Sequence, residues 1–248
     1  MLIYGICYYY GVNKIQNILN HIKCFNNIKK DDDIFCLNIM VDSFDKDVWI
    51  KIGNKFHDLL KSYEVKNFKI LIDYNSGGTV LGLYNTFNCY KHNDNDKNVY
   101  IAFFEEDFYP INNDWLNDSI NLLNNNGYIY IGSTNGSTPI KIDKLDKIQR
   151  ETIHSNKLLN FKTVLLNHDA KLCDKLYWTD GGYYFSSISK FNRIYEKIGI
   201  FHKGDKNVKY NHGIDGVILG EVGFPSQIKK YFEFTALKQS NYFIHISK

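Results

Sequence analysis

The sequence predicts an α/β fold, a mostly parallel central sheet flanked by helices, on three observations. Short β-branched or aromatic runs without charge alternate with amphipathic runs of helical period, the pattern of successive βαβ units. Two of the apolar runs stop abruptly on acids, at Asp42 and at Glu105-Glu106-Asp107. A third leads through Asn75-Ser76-Gly77-Gly78 into another helical run. The 248 residues are read as one domain, 1–248, with a first half 1–115 and a second half 116–248.

The first strand spans 2–9, because LIYGICYY is uncharged and bounded by Gly11. A helix over 14–25 follows, with Ile15, Ile18, Leu19 and Ile22 on one face. The run 34–41 is a second buried strand, ending on Asp42-Ser43. Helical spacing returns over 47–63 through Val48, Ile52, Phe56, Leu59 and Leu60, and the strand 68–72 comes next. The glycine-rich segment then opens a helix that ends near Tyr90. The run 99–104, VYIAFF, is the fourth buried strand.

Asn113 or Asp114 caps a helix over 115–124 that carries Trp115, Ile120 and Leu123 inward. A strand over 128–132 follows. The segment 141–176 is of mixed charge, with a helix around 144–154 that serves either as a lid or as an ordinary exposed helix. A strand over 183–185 and a helix over 189–198, with Phe191, Ile194 and Ile198 inward, precede a glycine-punctuated stretch with Asp215 and Glu221, then helix or loop to the end.

Composition sets limits on function. Hydrophobic residues at 44% and charged residues at 23% lie in the ordinary globular range, and aromatics reach 16%. A net charge of +3 and a pI of 8.4 give no field that indicates nucleic-acid binding. Five widely spaced cysteines without a C-x-x-C pair point to buried, reduced thiols and a cytoplasmic location. The apolar start lacks a basic n-region and a cleavage site and is too short to span a bilayer, so neither a signal peptide nor a transmembrane segment is expected.

Three stretches carry chemistry. In open α/β sheets ligands bind at the carboxyl ends of strands, so Glu105, Glu106 and Asp107 read as a metal or substrate site. The flanking Phe104, Phe108 and Tyr109 draw these acids toward buried surface, where unpaired carboxylates need a cation or hydrogen-bond donors. The glycine-rich segment at 75–78 allows close backbone approach, and the helix start after it offers amides to an anion. A plain turn and helix cap accounts for the same residues equally well. In Tyr177-Trp178-Thr179-Asp180-Gly181-Gly182, aromatics flank an acid and two glycines. That composition suits either sugar stacking with proton abstraction or a turn entering a strand. His212 and His245 are isolated histidines.

Taken in order, Tyr8-Tyr9-Tyr10 at the first strand's end, Asp42 after the second, Asn75-Ser76-Gly77-Gly78 with Gly82, and FFEEDFYP resemble the glycosyltransferases of the GT-A fold, in the family-2-like sense. The second half resembles the family more loosely, through W-x-D-G-G and the 213–224 segment. The resemblance implies a single GT-A catalytic domain, with donor binding in 1–115 and acceptor binding in 116–248. It implies transfer of a sugar from a nucleotide-sugar donor, with UDP the default, to a glycan or glycoconjugate hydroxyl, assisted by Mn²⁺ or Mg²⁺. Glu105-Glu106-Asp107 stands where the family writes its DxD-type motif. By that likeness Asp107 contacts the metal, Glu105 reaches the ribose or the metal shell, and Glu106 takes either part. His245 or His212 completes the shell. Tyr8, Tyr9, Tyr10, Asp42, Asn75, Gly77 and Gly78 surround the nucleotide, and Trp178, Gly181 and Gly182 the acceptor. Asp180, then Asp215 and Glu221, compete as catalytic base. Two alternatives compete with this reading. A sugar nucleotidyltransferase is disfavoured because YYYGVNK after the first strand offers only Lys14 to a triphosphate. The other is a non-catalytic carbohydrate-binding module.

Overall fold

A computed structural model describes residues 1–11, 14–76, 78–92, 98–134, 140–141, 177–199, 220 and 223–246. The first half is a run of βα units: β1 (Leu2–Tyr9), α1 (Ile15–Ile28), β2 (Ile34–Val41), α2 (Lys46–Ser62), β3 (Phe68–Tyr74), α3 (Gly78–Tyr90) and β4 (Tyr100–Glu105). The chain then turns into β5 (Phe108–Pro110), α4 (Asp114–Asn125), β6 (Ile131–Thr134) and β7 (Ile140–Lys141). It continues through β8 (Tyr177–Trp178), β9 (Asp180–Ser187), α5 (Ile188–Ile198), α6 (Phe224–Lys229), β10 (Thr235–Lys238), α7 (Gln239–Tyr242) and β11 (Phe243–His245).

Seven strands form one sheet in the order β10-β6-β9-β4-β1-β2-β3, and β9 alone of the seven runs against its neighbours β4 and β6. The α/β class with a mostly parallel, helix-flanked sheet is therefore as expected. All eight residues of β1 are buried because helices cover both faces. Ile3, Cys7 and Tyr9 pack with Val80, Leu83 and Phe87 of α3 and Phe191 and Ile194 of α5. Leu2, Tyr4, Ile6 and Tyr8 pack with Ile18 and Ile22 of α1, Phe56 of α2 and Trp115 of α4. Alternate residues of one strand thus feed two cores, as period two requires.

The approach of α3 depends on two glycines. A Cβ on Gly5 would lie 2.4 Å from the Phe103 ring, and one on Gly82 would lie 2.9 Å from the same ring and 3.3 Å from Cys7 Sγ. Phe103 fills the space both glycines leave between sheet and helix.

Several expectations are corrected by the fold. Asn113 is the N-cap of α4, one of the two residues expected there, but its side chain makes no cap hydrogen bond; Asn112 Oδ1 accepts the Asp114 N–H at 3.1 Å instead. The strand expected over 183–185 is eight residues long, because both its edges are paired. The chain end is not only helix or loop: β10 pairs with β6 and β11 with β5, in strands too short to show a period. Cys7 and Cys36 are buried and free as expected, whereas free Cys89 is exposed near the end of α3. The helix expected around 144–154 lies outside the described residues. Among the described residues no helix is long and apolar enough to cross a membrane.

Candidate active site

Strand order locates the site before any side chain is considered. From β1 the chain moves outward to β2 and β3, then α3 carries it back to β4 on the other side of β1. The two connections leave the sheet in opposite directions, and in open α/β sheets ligands bind at such a switch point, in the crevice outside the carboxyl ends of the strands, here those of β1 and β4. Those ends are Tyr9 and Glu105. A cleft of about 690 Å3 lies at the opposite end of the sheet, lined by Met1, Asp32, Lys66, Phe68 and Val99. It sits at the amino ends of the strands and has no share in this crevice.

The acids do not form a solvated turn. Glu106 is 1% and Asp107 7% exposed, with Glu105 half-buried at the strand tip. The Glu106 N–H donates to the Cys7 carbonyl at 3.2 Å, which folds the turn over the end of β1. Glu105 is held from the α3 layer, where the Thr79 hydroxyl donates to Oε1 at 2.6 Å. With its proton so committed, Thr79 Oγ1 accepts from the Tyr9 hydroxyl at 3.0 Å. From the α1 layer, His21 Nε2 lies 3.1 Å from the Glu105 carbonyl, and Nδ1 lies 2.9 Å from the Tyr4 hydroxyl. Burial pushes this imidazole down to about 4, with hydrogen bonds to the Glu105 and Glu106 main chain and the nearby Asp107 acting the other way. Burial, and next the Glu106 carboxylate, push the Cys7 thiol well up, so it is no nucleophile.

The last described strand brings His245 to the acids. β11 runs antiparallel to β5 with His245 opposite Phe108, and the Ile246 N–H donates to the Asp107 carbonyl at 2.9 Å. His245 Nε2 then lies 3.8 Å from Asp107 Oδ2, an ion-pair distance rather than a hydrogen bond. Among the described residues no three His, Cys, Asp or Glu side chains group so as to hold a metal ion. The turn thus offers one carboxylate and one imidazole within 3.8 Å of each other.

At the ends of β2 and β3, Asn75 Nδ2 donates to Asp42 Oδ1 at 3.3 Å and its N–H to the Val41 carbonyl at 2.9 Å. Asp42 is exposed there. Phe44, 54% exposed, stacks on Tyr74 with centroids 3.9 Å apart beside them. The three tyrosines of the first strand separate. Tyr8 is packed against Phe56 in the core, Tyr9 is spent on Thr79, and Tyr10 lies at the surface with Lys55 Nζ 5.8 Å from its ring. Gly78 opens α3 at φ +55°, a conformation that glycine accepts without strain.

The 177–182 stretch also reaches this crevice. Phe104 pairs with Tyr183, so Gly182 of β9 is level with Glu105 and Asp180 and Gly181 extend beyond the end of β4. Gly182 has φ +115°, and a Cβ there would lie 2.7 Å from Phe108 Cγ, the residue that follows the acids. Asp180 is a strand position opposite Ser133 of β6, and Trp178 pairs with Ile140. Gly77, His212, Asp215 and Glu221 lie outside the described residues.

No family model and no curated protein matches the sequence. Among solved structures, the crystal structure of S. aureus TarS 1-349 is similar at 13% identity and a TM-score of 0.46, over 98% of this chain and 59% of that one. The chain thus spans less than two thirds of that structure's length.

Two residues of the site carried no signal strong enough to single them out. Thr79 sits one residue into a helix after glycines, where a hydroxyl is an ordinary helix-start residue. His21 lies on the inner face of an amphipathic helix, in a position that an aliphatic residue would fill equally well in the pattern.

Proposed function

We propose that this chain is a metal-dependent glycosyltransferase of GT-A type that moves a sugar from a nucleotide-sugar donor, UDP-sugar first, to a hydroxyl of a glycan or glycoconjugate. The observation that carries the reading is the pairing of buried Asp107 with His245 in the crevice between β1 and β4. A carboxylate and an imidazole there suit a cation whose coordination is completed by the donor's diphosphate. When bound, Mn²⁺ or Mg²⁺ supplies positive charge to the departing diphosphate.

Asp107 and His245 would hold the cation. Glu105, fixed by Thr79, presents its remaining oxygen to the ribose or to the cation's water shell. Asp42 and Asn75 accept and donate hydrogen bonds to base and ribose at the ends of β2 and β3. Asp180 is the base. The acceptor oxygen attacks the anomeric carbon, the bond from that carbon to the diphosphate oxygen breaks, and the hydroxyl proton passes to the Asp180 carboxylate. The electron pair of the broken bond leaves on the nucleoside diphosphate.

Incubation with a panel of sugar nucleotides and Mn²⁺ tests the reading. Metal-dependent donor hydrolysis is expected, falling at least 100-fold in Asp107→Ala, while Asp180→Asn loses transfer and keeps donor affinity. Binding of free glycan with no affinity for any nucleotide would overturn it in favour of a carbohydrate-binding module.

A further inference from the structure

We propose that His21 is a positioning residue for the acid turn, a buried side chain whose Nε2 holds the Glu105 carbonyl and so sets the direction in which Glu105 and Asp107 leave the strand. Its functional half rests on the reading above; its structural half does not.

The imidazole is fully buried on α1, on the face of the sheet opposite α3. A carbonyl oxygen can only accept, so the Nε2 that faces the Glu105 carbonyl carries the proton. Nδ1 lies 2.9 Å from the Tyr4 hydroxyl, so both ring nitrogens have hydrogen-bond partners. Rings on three sides hold the plane: Tyr4 at 5.8 Å, Phe104 at 5.5 Å and Tyr109 at 5.9 Å between centroids.

The bond falls where direction matters most. Glu105 is the last residue of β4, and past it the chain leaves the ladder for the turn that carries Glu106 and Asp107. Fixing the Glu105 carbonyl fixes that peptide plane and so the trajectory of the next two residues. Thr79 holds the Glu105 side chain from the α3 layer, and His21 holds its main chain from the α1 layer. The strand tip is clamped between both helical layers. His21 thus acts on the main chain two residues before the Asp107 carboxylate, one step farther from a cation than an outer-shell partner, whose loss typically costs 10- to 100-fold in metal affinity.

The test compares His21→Phe, which keeps an apolar ring and removes both bonds, with His21→Gln, which keeps an N–H of similar reach. Hydrogen–deuterium exchange of the peptide containing Glu106 and Asp107 is read first, then the Mn²⁺ concentration for half-maximal UDP binding. The proposal expects exchange of the turn to rise at least tenfold in His21→Phe and to stay within threefold of wild type in His21→Gln. Half-saturating Mn²⁺ should rise about tenfold in the first and recover in the second. Unchanged exchange in His21→Phe overturns the proposal, as does a loosened turn with unchanged Mn²⁺ dependence. Should His21→Phe not fold, His21→Leu, smaller and equally unable to donate to the Glu105 carbonyl, carries the same comparison. A wild type that binds neither Mn²⁺ nor UDP refutes the glycosyltransferase reading, and the exchange experiment still decides whether His21 braces the turn.

Discussion

At the scale of single residues, the hydrogen-bond chain Tyr9–Thr79–Glu105 controls the site most directly. Thr79→Val keeps the shape of the helix start and deletes the donor to Glu105 Oε1. A hydrogen bond to a charged group contributes about 1.5–3 kcal/mol. The expected cost is therefore about 10- to 100-fold in kcat/KM for donor hydrolysis, with the far-UV spectrum unchanged. His21 makes a second prediction, for stability against pH. It faces Tyr4 of β1 and Tyr109 of β5, with Asp107 nearby. Its folded-state value, lowered by burial to about 4 from 6.5, means that the unfolded chain binds the proton first. Stability from this group is complete above about 6.5 and is lost as pH falls toward 4, on the order of 3 kcal/mol in all. Thermal melts between pH 7 and pH 4 should show that loss in wild type, and a shallower one in His21→Gln.

At the scale of elements, much was legible in the sequence where a single rule governs. β1 and β2 lie at 2–9 and 34–41 as read, because uncharged buried strands have no competing interpretation. The acid at the end of β4 was legible for the same reason. β10 and β11 were not, because strands of four and three residues are defined by their partners rather than by their own pattern. The meeting of His245 with Asp107 was anticipated through the resemblance alone, with His212 as the alternative, because it follows from the β11–β5 register, which the residues themselves do not display. The separation of Tyr8, Tyr9 and Tyr10 follows from strand alternation and the strand's end, which run-reading does not weigh. Gly82 tests the packing of α3 on the sheet. Gly82→Ala forces a methyl against Phe103, Met40 and Cys7, and overpacking of this kind costs about 1–3 kcal/mol. Urea unfolding should show a lower midpoint with an unchanged slope.

At the scale of the molecule, one sheet joins both halves of the chain at the site. β4, β1, β2 and β3 bring Glu105, Tyr9, Asp42 and Asn75 to one edge, and antiparallel β9 returns Asp180 to the same edge. The chain end closes the arrangement through β11, which carries His245 to the acid turn. Residues of the first half and His245 of the last described strand thus lie at one end of the sheet, with the Asp180 strand position at that end too. The most direct test is a calorimetric titration of UDP into the protein with and without Mn²⁺, repeated on Asp107→Ala. The account predicts saturable binding that requires Mn²⁺ and is lost in the variant. UDP binding that is indifferent to Mn²⁺ and to Asp107, or no binding under either condition, would contradict it.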